Sequence, residues 1–283
     1  MRLLFLILLL VFNLQAKSLF SNEQQADTSK YIENLKELIL ATQKTRGLTN
    51  SYLNGNTAAM LLVFSSREDM KSAIGDMESL PLASDPVINS RATTISQALI
   101  KLNRKAFKQD PKKTFEAYTE QIDQTLMLAQ SVAKRFAKDL TPFGKDISAA
   151  MMEIMLPMTE YTGQLRGLGA GIAAKGQITK QDVENIKLLS YQLQLFNKKL
   201  QAAMTKIIAT HPNKLPEKIN NQLSSINKQV KAYTTFAENT LIKNPQEVDA
   251  DIYFDNGTRL ISAIIKVYDT SNEAIMEDAK GWF

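Results

Sequence analysis

The sequence contains no cysteine, a single histidine and a single tryptophan. Without cysteine there is no thiol nucleophile, no thiolate metal site, no cysteine-ligated iron–sulfur cluster, no c-type haem attachment and no disulfide. The histidine, His211, stands before Pro212 and reads as a loop residue. The paired Glu-x-x-His motifs of a di-iron bundle are absent, and the methionine cluster Met151, Met152, Met155 and Met158 has no His or Cys beside it and reads as core. No residue pattern points to catalysis, to a metal or to a cofactor. Charge of one sign is also scarce: 34 Lys and Arg stand against 29 Asp and Glu. They are scattered, with no block of like charge and no aromatic–basic alternation, which argues against nucleic acid. The mild excess of +5 suits capture of small anions.

The chain has one long hydrophobic run. In "MRLLFLILLLVFNLQAKS", basic Arg2 precedes an apolar stretch from Leu3 to Leu14, and Leu14-Gln15-Ala16 offers a small-residue cleavage site. This describes a secretory signal peptide over 1–16, and the run falls short of the ~20 residues that a spanning helix needs. A retained anchor is the alternative. The expectation is an exported, periplasmic mature chain, 17–283, with no membrane span.

Strand signals are missing as well, and cap signals divide the rest into eight helices. The first is expected over Thr28–Leu53, ending at Asn54-Gly55; the second follows Asn56-Thr57. Asp85-Pro86, Asp110-Pro111 and Thr141-Pro142 each place a capping side chain before proline and open helices three to five. The fifth ends at Lys175-Gly176, Thr179 with Asp182 forms a capping box for the sixth, the seventh starts near Leu215-Pro216, and the eighth follows Asn244-Pro245. Short connections favour antiparallel neighbours, so the fold class is all-α: eight long helices forming two four-helix bundles.

Two arginines break this pattern. In the first helix the seam Ile32, Leu35, Ile39, Thr42, Arg46, Thr49, Leu53 puts a guanidinium where an aliphatic belongs. The fifth helix carries a core seam (Ile147, Met151, Ile154, Met158, Tyr161, Leu165, Leu168, Ile172) and beside it a small polar stripe, Met155, Thr159, Thr162, Arg166, Gly169, Ala173. Both arginines begin an Arg-Gly-Leu that lies shortly before a glycine stop, a short internal echo. A guanidinium keeps its charge, and leaving it buried without a partner costs several kcal/mol. Neither stripe supplies a carboxylate; Glu160 lies off both. An anionic ligand is one solution, its planar oxygens matched by the arginine forks, with Thr42, Thr49 and Thr162 in support and Gly47 and Gly167 allowing close approach. A structural role, with the stem reaching water or an acid crossing from another helix, is the other. Arg259 sits on a helix shoulder one turn after Asp255, where an i,i+4 pair is the simpler reading.

Through the Arg-Gly-Leu segment of the first helix, "EYTGQLRGLGAGIAAKG" and "YFDNGTRLISAIIKVYD", the chain resembles the nitrate- and nitrite-sensing (NIT) domain family. The resemblance implies a pair of helical bundles, no enzymatic activity, and nitrate or nitrite held between helices by Arg46, Arg166 and Arg259. It is the resemblance, not the spacing, that brings in Arg259. Lys44-Thr45 departs from the charged residue that family members often carry before Arg-Gly. Typical members are joined to an output module, so the resemblance leaves the signal of this chain to a separate protein, with Gly281-Trp282-Phe283 as a docking element or a packed end. A homodimer sharing arginines is compatible with the pattern. The alternative to sensing is an extracytoplasmic helical interaction protein that keeps the fold without binding an oxyanion.

Overall fold

The computed structural model describes residues 2–280, with side chains from Gln24 onward. The side chains of the expected signal peptide and the terminal Trp282-Phe283 lie outside the described residues. Among the residues whose side chains are described, no helix is long and apolar enough to cross a membrane.

The described elements are helical: α1 (Arg2–Leu53), α2 (Ala59–Glu78), α3 (Pro86–Lys105), α4 (Pro111–Phe136), α5 (Pro142–Ala150), α6 (Leu156–Lys175), α7 (Lys180–Thr210), α8 (Lys218–Phe236) and α9 (Ala250–Lys280). A π-helical turn, Met151–Met155, joins α5 to α6 without a break, so these segments make eight rods. Pro157 explains the turn. It has no N–H to donate backwards, and the chain admits it by widening, with the Leu156 N–H reaching the Met151 carbonyl.

The caps are chemical. Asp85 accepts from the N–H groups of Val87 and Ile88, Asp110 from Lys113, and Thr141 from Gly144, each just ahead of a proline. Thr179 and Asp182 close a reciprocal capping box. Gly176 ends α6 with φ of 66°, a left-handed conformation that only glycine adopts cheaply. Two boundaries differ from the sequence reading. Thr28 does not start α1, because its hydroxyl donates to the Gln24 carbonyl inside a helix already under way. At the other end, Pro245–Glu247 makes a 3₁₀ turn, and Asp249 starts α9 by accepting from the N–H groups of Asp251 and Ile252.

α1 packs against α2, α4 and α6, and α3 lies against α4; on the far side α6 packs against α7 and α9, and α8 lies against both of those. The two sets meet where α1 crosses α6. Asn103 of α3 reaches the set's other edge, its Nδ2 donating to Met70 Sδ at 3.4 Å while its Oδ1 accepts from the Tyr118 hydroxyl at 2.7 Å. α6 is therefore central, and it is buried on three faces, not the two inward stripes read from its sequence.

The open end of the fold is tied by Asp278, which accepts from the Thr141 hydroxyl and from Lys214 Nζ, the latter at 2.5 Å. Burial pushes this carboxyl up, but the hydrogen bonds and charge of its partners outweigh it and hold it below the ordinary 3.8. A depressed carboxylate contributes stability that is full above its unfolded pKa and is lost as pH falls through the folded one. The melting-temperature gap between wild type and Asp278→Asn is accordingly expected to be widest near neutrality and to close below the ordinary carboxylate range. A gap that is constant in acid would show that the carboxylate is not the source.

Candidate anion site

The two Arg-Gly-Leu segments meet at their glycines. A Cβ on Gly47 would stand 3.2 Å from the Gly167 Cα and 2.7 Å from the Phe254 ring; one on Gly167 would stand 3.0 Å from the Gly47 Cα and 2.9 Å from the Phe115 ring. Only two glycines let the backbones of α1 and α6 come this close. The short echo in the sequence is thus the crossing point of the fold. Gly47 and Gly167 act here as the contact itself, so the space they free is taken by each other's helix and not left open.

Arg46, fully buried, points from this crossing toward α4 and α6. Its Nη1 donates to Glu160 Oε1 at 2.5 Å and its Nη2 to Glu160 Oε2 at 3.2 Å, a fork on a carboxylate. Nη1 also donates to Thr119 Oγ1 at 2.9 Å, and the guanidinium lies 4.8 Å from the centre of the Phe115 ring. Glu160 is equally buried and accepts a further bond from Gln164 Nε2 at 2.8 Å. Of the two solutions open in the sequence, the structure shows at Arg46 an acid crossing from another helix, and that acid is Glu160, which the stripe count sets aside. Glu160 lies on the third buried face of α6, in line with Gly163 and Gly167, whose missing side chains bring α1 within its reach.

Arg166 repeats the arrangement with one part missing. Its Nη1 donates to Thr258 Oγ1 at 2.9 Å, and its guanidinium lies 4.4 Å from the centre of the Phe254 ring. In both places the threonine follows the phenylalanine by one turn and donates its own proton to that phenylalanine's carbonyl, at 2.9 Å for Thr119 and 3.0 Å for Thr258. Each threonine oxygen is thereby turned into an acceptor for its arginine. Yet among the described residues Arg166 has no carboxylate partner, and its buried Nε has no partner at all. Burial pushes this guanidinium down to about 10, and the positive charge of Arg46 acts in the same direction.

A cleft of about 930 Å3 runs between α8 and α9, lined among others by Arg259, Lys266, Thr258 and Tyr233. Thr258 and Tyr233 also border Arg166. The Tyr233 hydroxyl is buried without a partner, beside Gly257, where a Cβ would stand 2.7 Å from that hydroxyl and 2.8 Å from the Arg166 Cβ. Burial holds the Tyr233 pKa well above 10, so it remains a proton donor.

The family model for nitrate and nitrite sensing matches residues 37–276. The chain belongs to the nitrate- and nitrite-sensing (NIT) family. No curated protein matches it. Among solved structures, the NasR transcription antiterminator is similar with a TM-score of 0.60 and 15% identity, over 96% of this chain and 75% of that one. At that identity the likeness establishes the fold alone.

Within this NIT chain the structure brings Arg46 and Arg166 to one helix crossing and leaves Arg259 exposed on the cleft wall. Arg259 makes no ion pair among the described residues, so the expected bond to Asp255 is not formed. Thr42 and Thr162 spend their hydroxyl protons on the carbonyls of Leu38 and Met158, whereas the buried Thr49 hydroxyl has no partner. Arg67 of α2 is half-buried, 4.4 Å from the centre of the Phe107 ring, with Nε and Nη2 buried and without partners. Sequence reasoning missed Glu160, Tyr233 and the Phe-x-x-x-Thr pairs. The last had a legible signal in "FEAYT" and "FDNGT", which recur on α4 and α9 at the same internal spacing.

Proposed function

We propose that this NIT chain is a non-enzymatic, extracytoplasmic nitrate- or nitrite-binding sensor module whose signal passes to a separate protein. Arg166 is the anchor for the anion and Arg259 attracts the anion to the cleft between α8 and α9, whereas Arg46, forked on Glu160, holds the crossing on which Arg166 stands. Tyr233 supplies a neutral O–H donor at the inner end. The observation that carries this reading is that Arg166 is buried at 3% exposure with no carboxylate among the described residues, while its counterpart Arg46 has one. A planar monoanion offers the oxygens that the open fork of Arg166 lacks, and it neutralises the one excess charge in the group formed by Arg46, Glu160 and Arg166. Ligand acts by preferring one arrangement of the helices around the crossing, since only differential affinity moves such an equilibrium.

The test is thermal unfolding of the purified chain in chloride-free buffer, titrated with nitrate, nitrite, sulfate and chloride. Nitrate or nitrite is expected to raise the melting temperature selectively, by an amount that corresponds to about 2.7 kcal/mol at a hundred times the dissociation constant. Arg166→Gln is expected to abolish that rise and to keep or increase stability without anion, because it removes an uncompensated buried charge. No selective response in the wild type would sink the sensing claim and leave the interaction-protein reading in its place, and a selective response that survives in Arg166→Gln would overturn the anchor role of Arg166.

A further inference from the structure

The two arginine half-sites are copies related by the α1–α6 crossing. Each has an Arg-Gly on one helix and a Phe-x-x-x-Thr on another, and the parts are exchanged across the crossing. Phe254, which stacks on Arg166, blocks any side chain at Gly47; Phe115, which stacks on Arg46, blocks any at Gly167. Thr119 and Thr258 accept from their arginines at the same 2.9 Å. Both Nε atoms are buried without a partner. The half-sites differ in one respect. At Arg46 a carboxylate fills the fork, one oxygen on each terminal guanidinium nitrogen, and at Arg166 nothing from the described chain does.

We infer that Glu160 is a tethered stand-in for the ligand: its carboxylate occupies at Arg46 the position that an oxyanion takes at Arg166, so the chain contains two anion half-sites of which one is closed by its own side chain. This rests on the reading of Arg166 as the anion anchor. A carboxylate and nitrite present the same pair of oxygens on one central atom, and nitrate adds a third in the same plane. A fork and an aromatic face that accept the first are shaped for the other two. Glu160 comes from α6, the helix that also carries Arg166, so the side chain that closes one half-site is fixed to the helix that opens the other. Closing Arg46 in this way restricts the chain to one bound anion and leaves the crossing with one excess positive charge, which a monoanion satisfies and a dianion overshoots.

The inference predicts stoichiometry. Titration calorimetry of the wild-type chain with nitrate should give one anion per chain. Glu160→Ala, which empties the fork of Arg46, should give two, and formate should raise its melting temperature far more than that of wild type, by restoring the missing carboxylate in trans. One anion per chain in Glu160→Ala, with no formate response beyond that of wild type, overturns the inference while leaving the Arg166 reading intact. Conversely, formate or nitrate rescue of Glu160→Ala alongside a silent wild type upholds the tethered carboxylate and overturns the anchor role of Arg166. Should Glu160→Ala not fold, the pair is replaced as a unit in Arg46→Met/Glu160→Leu, because exchanging both members of a buried ion pair for apolar residues is commonly tolerated. That double variant is expected to retain one nitrate per chain, and its failure to bind would show that Arg46 takes part in the wild-type site and overturn the inference.

Discussion

Replacing Arg46 with alanine should destabilise the fold by about 3–5 kcal/mol, the usual cost of leaving one member of a buried ion pair without the other. The deserted group is Glu160, 3% exposed, which would keep only the Gln164 amide as a partner. For chains of roughly this size each kcal/mol lowers the melting point by about 2–4 °C, so a fall of about 10 °C is expected. Urea unfolding should move to a lower midpoint with an unchanged slope, as befits a change in stability and not in the surface exposed. Arg166→Gln should do the opposite or nothing. The contrast between the two variants is the informative quantity, because both remove a buried arginine from the same helix crossing. Equal losses would mean that Arg166 has a counter-charge which these contacts do not contain. Arg46→Ala alone cannot report on ligand binding, since its fold is weakened whether or not an anion is ever bound.

The second large effect is expected at the crossing itself. Gly167→Val places a Cβ 3.0 Å from the Gly47 Cα and 2.9 Å from the Phe115 ring. The first neighbour is backbone and cannot swing aside, so α1 and α6 must separate. Overpacking typically costs about 1–3 kcal/mol, and this substitution belongs at the upper end or beyond, with a β-branched residue added in mid-helix. Because Phe115 is also the platform under Arg46, separation disturbs the half-site along with the fold. Gly75→Ala is the control: a Cβ there meets nothing within 4 Å, and replacing this exposed glycine in the last turn of α2 should stabilise by up to about 0.5–1 kcal/mol. Denaturant melts of the two variants would separate the cost of losing space from the gain of losing a glycine. Tolerance of Gly167→Val would show that the helices are not held at contact distance.

Much of this architecture can be read from short-range chemistry. Asp85, Asp110, Thr141 and the Thr179–Asp182 pair are caps in sequence and in structure, because a cap depends on residues within one turn of itself. Thr28 shows the limit of that logic: the same side chain that caps a helix also bonds backwards within one, and which it does depends on what precedes it. The partner of Arg46 was illegible for a different reason. Counting inward stripes assigns α6 two buried faces, and Glu160 falls on neither; the third face exists only because Gly163 and Gly167 admit α1, a fact about the neighbour's position and not about periodicity. A carboxylate at the head of a line of glycines was the available signal. The exposure of Arg259 and the cleft beside it depend on how α8 meets α9, which no local pattern encodes.

The π turn at Met151–Met155 has a consequence for which changes in length the gene can accept. An α-helix turns by about 100° per residue, so a residue gained or lost in a regular rod turns everything beyond it by that angle. The wide turn holds one residue more than an α turn and absorbs the surplus where it stands, so Ile147 and Ala150 on one side and Glu160 and Arg166 on the other all stay buried. A codon deleted from the regular part of α6 would therefore rotate one half-site away from the crossing. Loss of the exposed Glu153 removes the residue that the wide turn carries in excess and keeps the faces of α5 and α6 in phase, at the cost of seating Pro157 in a tighter helix.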